Sequence, residues 1–128
     1  MKKKVPLTYI IDDDKIFVYI LKKVIEKNKN FEEIISFRNG EEVLKLISKE
    51  INLPTVILLD LNMPIIDGWQ FLDQVEQFNH RNKLSIFIMS SSIDNRDIEK
   101  SKIYSTVKDF ISKPINNEKL DKLVEKIK

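Results

Sequence analysis

Five short apolar runs alternate with five stretches of helical periodicity, and this strict alternation constrains the fold more than any other feature of the chain. The runs are Leu7–Ile11, Phe31–Phe37, Val56–Asp60, Ile86–Ser90 and Val107–Ser112. Between and after them come apolar residues at helical spacing. The first stripe is Ile16, Phe17, Ile20, Leu21, Val24 and Ile25, and the second is Val43, Leu44 and Ile47. The third is Phe71, Leu72, Val75 and Phe78, and the last is Leu120, Leu123, Val124 and Ile127. The fourth, between about Ile93 and Ser105, is the weakest: Ile98, Ile103 and Tyr104 among many charges. Repeated strand–helix units predict an α/β fold, with one parallel sheet covered by helices on both faces and right-handed crossovers. The run Val56–Leu59 is rich in branched aliphatics, as a strand buried on both faces must be. The run Phe31–Phe37 is less continuous and belongs nearer an edge.

Composition narrows the possibilities. The chain has 128 residues, which suits one domain over 1–128 with no room for a second, output domain. Only two glycines occur, Gly40 and Gly68, so a glycine-rich phosphate loop is excluded. The absence of cysteine rules out disulfides and thiolate metal sites, and the single His80 rules out the usual zinc sites. Net charge is +2, with the 22 basic residues scattered, which is no footprint of nucleic-acid binding. Met1-Lys2-Lys3-Lys4 resembles the start of a signal peptide, but the apolar stretch soon meets Asp12-Asp13-Asp14. No apolar run approaches a membrane span. The expectation is a soluble, cytoplasmic protein with no nucleic-acid or membrane partner.

In an open parallel sheet the binding crevice lies beyond the carboxyl ends of the strands. The first run delivers Asp12 and Asp13 there, the third delivers Asp60 with Asn62 in the following loop, the fourth Ser90 and the fifth Lys113. Pro64 stops the third strand, Asp67-Gly68 closes a turn, and a helix begins near Trp69. Converging carboxylates repel: two unit charges about 4 Å apart cost roughly 4 kcal/mol at an effective dielectric near 20. The cluster therefore needs a cation or must take up protons. Lys113 supplies one positive charge, and the remainder suits a hard divalent ion. Magnesium is typically held by one or two carboxylates and keeps several waters. Asp13, Asp60 and a backbone carbonyl near Asn62 would serve as ligands, with Asp12 reaching through water. Asp14 is better explained as the acid at a helix N-terminus. A carboxylate beside magnesium can attack a phosphoryl group and form an acyl phosphate. Magnesium, Lys113 and the Ser90 hydroxyl would each meet a phosphoryl oxygen.

The pieces Ile10-Ile11-Asp12-Asp13, Leu59-Asp60-Leu61-Asn62-Met63-Pro64 with Asp67-Gly68, Met89-Ser90-Ser91 and Phe110-Ile111-Ser112-Lys113-Pro114 stand in order at the strand ends. Through them the sequence resembles the receiver domains of bacterial two-component response regulators, of the single-domain, chemotaxis-regulator-like kind, over essentially its whole length. The resemblance implies a flavodoxin-like sheet of order 2-1-3-4-5 and a cis Lys113–Pro114 bond. It implies that Asp60 is the phosphoacceptor, that Asp12 and Asp13 are the metal-site acids, and that Mg2+ is the cofactor. Ser90 becomes the switch hydroxyl, Lys113 the phosphate-pairing lysine and Phe110 the switch aromatic. Two features depart from the family: Tyr104-Ser105-Thr106-Val107 lacks the frequent Gly-Ala pair, and Ser90 stands where threonine is common.

The function implied is that of a stand-alone response regulator. It would take a phosphoryl group from a histidine kinase or histidine phosphotransfer protein onto Asp60 and switch a surface read by an output protein. Such a domain catalyses only its own phosphorylation and dephosphorylation. The surface expected to change is that of the fourth helix, fifth strand and fifth helix, also a possible homodimer face. Alternatives are a phosphorelay intermediate, a pseudo-receiver that only binds, and a small magnesium-dependent aspartyl phosphatase. The haloacid-dehalogenase type of phosphatase carries a second Asp where Asn62 stands. His80 is expected to be exposed and without function, and Trp69 to belong to the core.

Overall fold

The computed structural model describes residues 4–63 and 65–127. Pro64, expected to stop the third strand, lies outside the described residues, as do residues 1–3 and 128. The elements are β1 (Val5–Ile11), α1 (Lys15–Glu26), β2 (Phe31–Phe37), α2 (Gly40–Ser48), β3 (Val56–Asp60) and α3 (Gly68–Val75). They continue with a 3-10 turn (Arg81–Lys83), β4 (Ser85–Ser90), α4 (Asn95–Ser101), β5 (Val107–Ser112) and α5 (Asn117–Glu125). The strands pair in parallel in the order β2-β1-β3-β4-β5. The flavodoxin-like sheet and its edge placement of β2 are as the sequence leads one to expect, and the Lys113–Pro114 bond is cis.

Alternation along the central strands divides the core into two layers. Ile57 and Leu59 of β3, with Ile86 and Ile88 of β4, pack against Val43, Leu44 and Ile47 of α2 and Phe71, Leu72 and Val75 of α3. Val56, Leu58, Phe87 and Met89 point the other way, onto Val18, Leu21 and Ile25 of α1 and Leu120 and Leu123 of α5. Both faces of β3 and β4 are therefore closed, and only the strand ends can carry polar chemistry.

Three local expectations need correction. On α1 the buried residues are Val18, Leu21 and Ile25, whereas Ile16 is 74% and Ile20 54% exposed. At roughly 100° per residue the two fall on the flank away from Leu21, so the helix carries more apolar surface than the sheet can cover. The fourth helix is shorter than Ile93–Ser105. Asp94 caps its start by accepting from the Arg96 N–H at 2.8 Å, and its only buried residue is Ser101. Ile103 is exposed, while Tyr104, beyond the helix, turns into the core instead. His80 is not an exposed surface residue. Its ring stacks on Phe78, its Nε2 lies 2.7 Å from the Ile47 carbonyl, and its Nδ1 lies 3.2 Å from Glu50.

Candidate functional site

The carboxyl ends of β1 and β3 bring Asp12, Asp13 and Asp60 together, with a carboxylate oxygen from each within 4.8 Å of the others. Asp12 and Asp60 are buried, and Asp13 is exposed at the mouth. The backbone fixes these groups. The Asp12 N–H donates to the Phe37 carbonyl of β2 at 3.0 Å, and Asp12 Oδ1 accepts from the Asp14 N–H at 2.9 Å. Asp14 takes the role foreseen for it, capping α1 by accepting from the N–H groups of Ile16 and Phe17. Asp60 Oδ1 faces the Asn62 N–H at 3.4 Å.

Lys113 enters from the end of β5. Its N–H donates to the Ser90 carbonyl at 2.8 Å, joining the ends of β4 and β5. Its ammonium lies 2.9 Å from Asp12 Oδ2 and 3.9 Å from Asp60 Oδ1. One ammonium among three carboxylates leaves two formal negative charges uncompensated. Burial first, and the Asp12 charge second, push the Asp60 carboxyl above the usual carboxylate range, against the opposing pull of Lys113. An all-oxygen donor set with surplus negative charge fits a hard divalent cation such as Mg2+.

Asn62 and Ser90 border the same cavity, together with Trp69 and Asp97. The Ser90 hydroxyl is engaged locally: it donates to the Ser92 carbonyl at 2.8 Å and accepts from the Ser92 N–H at 3.1 Å. Phe110 is not brought into the cavity. It sits on β5 opposite Ile88, half-buried against the layer formed with α2 and α3. The loop after β3 is tightly folded. The Gly68 N–H donates to the Leu61 carbonyl at 2.9 Å, and Ile65 takes a left-handed backbone with φ 70. That conformation costs roughly 1–2 kcal/mol in a residue with a Cβ.

Two neighbours of the site escape sequence reasoning. The Phe17 ring lies 4.3 Å from the Lys113 ammonium, although its spacing marks it only as part of the α1 stripe. Trp69, expected in the core, packs against it half-buried and also walls the cavity. Its place immediately after the Asp67–Gly68 turn was the available signal.

Comparison with known proteins agrees with this geometry. Residues 8–125 match the family described as the response regulator receiver domain. The chain is 31% identical over 120 residues to the chemotaxis protein CheY of Listeria monocytogenes, covering 94% of this chain and 97% of that one. It is 27% identical over 93 residues to the sensor histidine kinase CheAY of Helicobacter pylori, covering 73% of this chain and 12% of the kinase. Among solved structures, a two-component response regulator from Cytophaga hutchinsonii superposes with a TM-score of 0.87 at 32% identity, covering 98% of each chain. With its motifs at the ends of β1, β3, β4 and β5 and a match spanning nearly its whole length, the chain belongs to the response regulator receiver family.

Proposed function

We propose that Asp60 accepts a phosphoryl group from a phosphohistidine on a histidine kinase or histidine phosphotransfer protein, and that the change is read by a partner protein. The observation that carries this reading is the meeting of Asp12, Asp13 and Asp60 with the Lys113 ammonium 2.9 Å from Asp12. An Asp60 carboxylate oxygen attacks phosphorus. The bond to the donor nitrogen breaks, and its electron pair returns to the imidazole. Asp13, Asp60 and the Asn62 carbonyl would hold Mg2+, with Asp12 reaching it through water. When bound, Mg2+ neutralises charge on the phosphoryl oxygens. Lys113 supplies a second positive charge to those oxygens from the β5 end. The domain acts only on itself, adding and removing its own phosphoryl group, and turns over no external substrate. A cytoplasmic setting follows from such a donor.

The switch runs through Ser90. Phosphorylation brings Asp60 to about two negative charges and adds strong acceptor oxygens. A charge-assisted hydrogen bond contributes about 1.5–3 kcal/mol, against about 0.5–1.5 for the neutral bond to Ser92. The difference, about 1–2 kcal/mol, shifts a two-state equilibrium by roughly tenfold. Phe110, on neighbouring β5, then follows the hydroxyl, and the face of α4, β5 and α5 changes for an output protein or a second copy. Among the described residues no helix is long and apolar enough to cross a membrane. The test is incubation with acetyl phosphate and MgCl2, read by intact mass. One base-labile phosphoryl group is expected, and none at this position in Asp60→Asn. A base-stable ester on serine or threonine would overturn the reading.

A further inference from the structure

Lys119 occupies the third position of α5, where the Asn116 cap accepts from its backbone N–H at 2.9 Å. A cation in the first turn of a helix opposes the helix dipole. Something must offset that placement, and the structure shows what does. The Lys119 ammonium donates to the Ser112 carbonyl at 3.0 Å, the Ser112 hydroxyl at 2.8 Å and the Pro114 carbonyl at 2.9 Å. An ammonium has three N–H donors, and all three are spent on the residues immediately before and after Lys113. The acceptors are neutral oxygens, so this is no ordinary ion pair. The neighbouring Lys126, by contrast, pairs with the Asp109 carboxylate.

The consequence lies in the peptide joining Ser112 to Lys113. Its N–H points to β4, donating to the Ser90 carbonyl at 2.8 Å. In a planar trans peptide the carbonyl points the opposite way, toward the open edge of β5. Among the described residues that edge has no neighbouring strand to receive it, and Lys119 does so instead. The peptide is thus gripped from both sides, and the Pro114 carbonyl is tied to the same ammonium. The Cα of Lys113 is held in place, and its side chain leaves from a fixed point toward Asp12 and Asp60.

We propose that Lys119 is a positioning residue for Lys113, setting the ammonium against the acid cluster so that phosphoryl transfer finds it in place. The proposal rests on the reading of Asp60 as phosphoacceptor, but it has a consequence independent of that reading. Lys113 competes with a divalent cation for the negative charge of Asp12 and Asp60. Loosening Lys113 should therefore slow phosphorylation and, in the same variant, tighten metal binding. A helix that had merely frayed would weaken both.

The experiment uses Lys119→Met, Lys113→Met and the double variant. Lys119→Met removes a cation that opposes the α5 dipole, so folding should be retained. Lys119→Ala, a better helix former, carries the same test if it is not. Magnesium affinity is read by titrating MgCl2 against Trp69 fluorescence, and phosphorylation by acetyl phosphate at saturating MgCl2. A small misplacement of a reacting group can cost up to about a hundredfold in rate. The expected result for Lys119→Met is phosphorylation slower by about tenfold or more and magnesium bound about threefold more tightly. In the Lys113→Met background, adding Lys119→Met should change either quantity by less than about twofold, because residues acting through one group are not additive. An undiminished Lys119 effect in that background, or magnesium affinity unchanged or weakened in the single variant, overturns the proposal. If the unmodified protein takes up no phosphoryl group, the reading of Asp60 fails, while the magnesium measurements still decide whether Lys119 acts on Lys113.

Discussion

Gly68→Ala should destabilise the protein and disturb Asp60 together. Gly68 is the first residue of α3 and is buried. A methyl group there would lie 2.7 Å from Leu61 Cα, 2.8 Å from Leu61 Cδ2 and 3.1 Å from the Asp60 carbonyl oxygen. Ordinary carbon contacts are about 3.5–4.0 Å, so the closest pair overlaps by about an ångström. Leu61 Cα is backbone and cannot rotate away, so either the start of α3 or the end of β3 must move. Overpacking of this kind costs about 1–3 kcal/mol. Alanine returns up to about 1 kcal/mol through helix propensity and a less flexible unfolded chain. The net expectation is a loss of about 1–2 kcal/mol. Urea denaturation at 25 °C should show a lower midpoint with unchanged slope, and phosphorylation by acetyl phosphate should slow because the displaced atoms adjoin the acceptor. A variant as stable as the parent would show that the loop yields freely, and that glycine is not required by contact with β3.

Two further predictions concern ionisation. Burial and Asp12 raise the Asp60 carboxyl above its ordinary value, so the stability it contributes is fully present below the unfolded carboxylate value of about 4 and is lost as pH rises through the folded value. In magnesium-free buffer Asp60→Asn should therefore raise the unfolding midpoint at pH 7, and the advantage should disappear as pH falls to about 4; no gain at neutral pH would contradict the account. Burial first, and the hydrogen bond to Asp73 second, push the Tyr104 phenol up to about 12, so its contribution holds below the unfolded value of about 10 and is lost as pH rises through 12. Burial raises the Tyr9 phenol as well, so alkaline difference absorption should show late-titrating tyrosine absorbance that loses one residue's share in Tyr104→Phe, and that variant should unfold about 0.5–1.5 kcal/mol more easily.

The sheet and the acid cluster were legible for one reason. A parallel sheet presents every strand's carboxyl end on the same side, so Asp12, Asp60, Ser90 and Lys113 share a rim once their strands are recognised. Side-chain direction was less accessible. Spacing places Lys113 at the rim but does not send its ammonium across the Phe17 ring, nor the Lys119 ammonium back over the preceding loop. Both are long chains whose heads go where acceptors and rings are, and those belong to other elements. The α1 stripe misled because apolar residues cover more of that helix than the sheet can bury. The charge-rich fourth segment forms a shorter helix than its pattern suggests, and beyond it Tyr104 turns inward to the Asp73 carboxylate. His80 lay in a polar run, and nothing local announced that the Ile47 carbonyl would meet it.

The weak fourth stripe has a consequence for where a signal can emerge. Helix α1 is held by Val18, Leu21 and Ile25, and α5 by Leu120 and Leu123, all buried. Each such side chain contributes about 1.5–3 kcal/mol on burial, so moving either helix would cost far more than one hydrogen bond returns. No apolar side chain of α4 itself is buried. Asp94 caps only the first turn of α4 itself, through the Arg96 N–H, and the contact that reaches α3 is the Lys100 ammonium, 4.4 Å from the Trp69 ring centre. An exposed cation–aromatic contact contributes about 0.5–1 kcal/mol. Under the function proposed for Asp60, a phosphoryl-drawn Ser90 hydroxyl would supply as much. Trp69 itself walls the acid cavity and stacks on Tyr104 at 6.2 Å, so the residue that receives Lys100 also borders the place where charge would change. Of the five α-helices, α4 alone buries no apolar side chain, so under the proposed function it is the one a local event at Asp60 would have the energy to move, and α4 is where a partner would find the two states different.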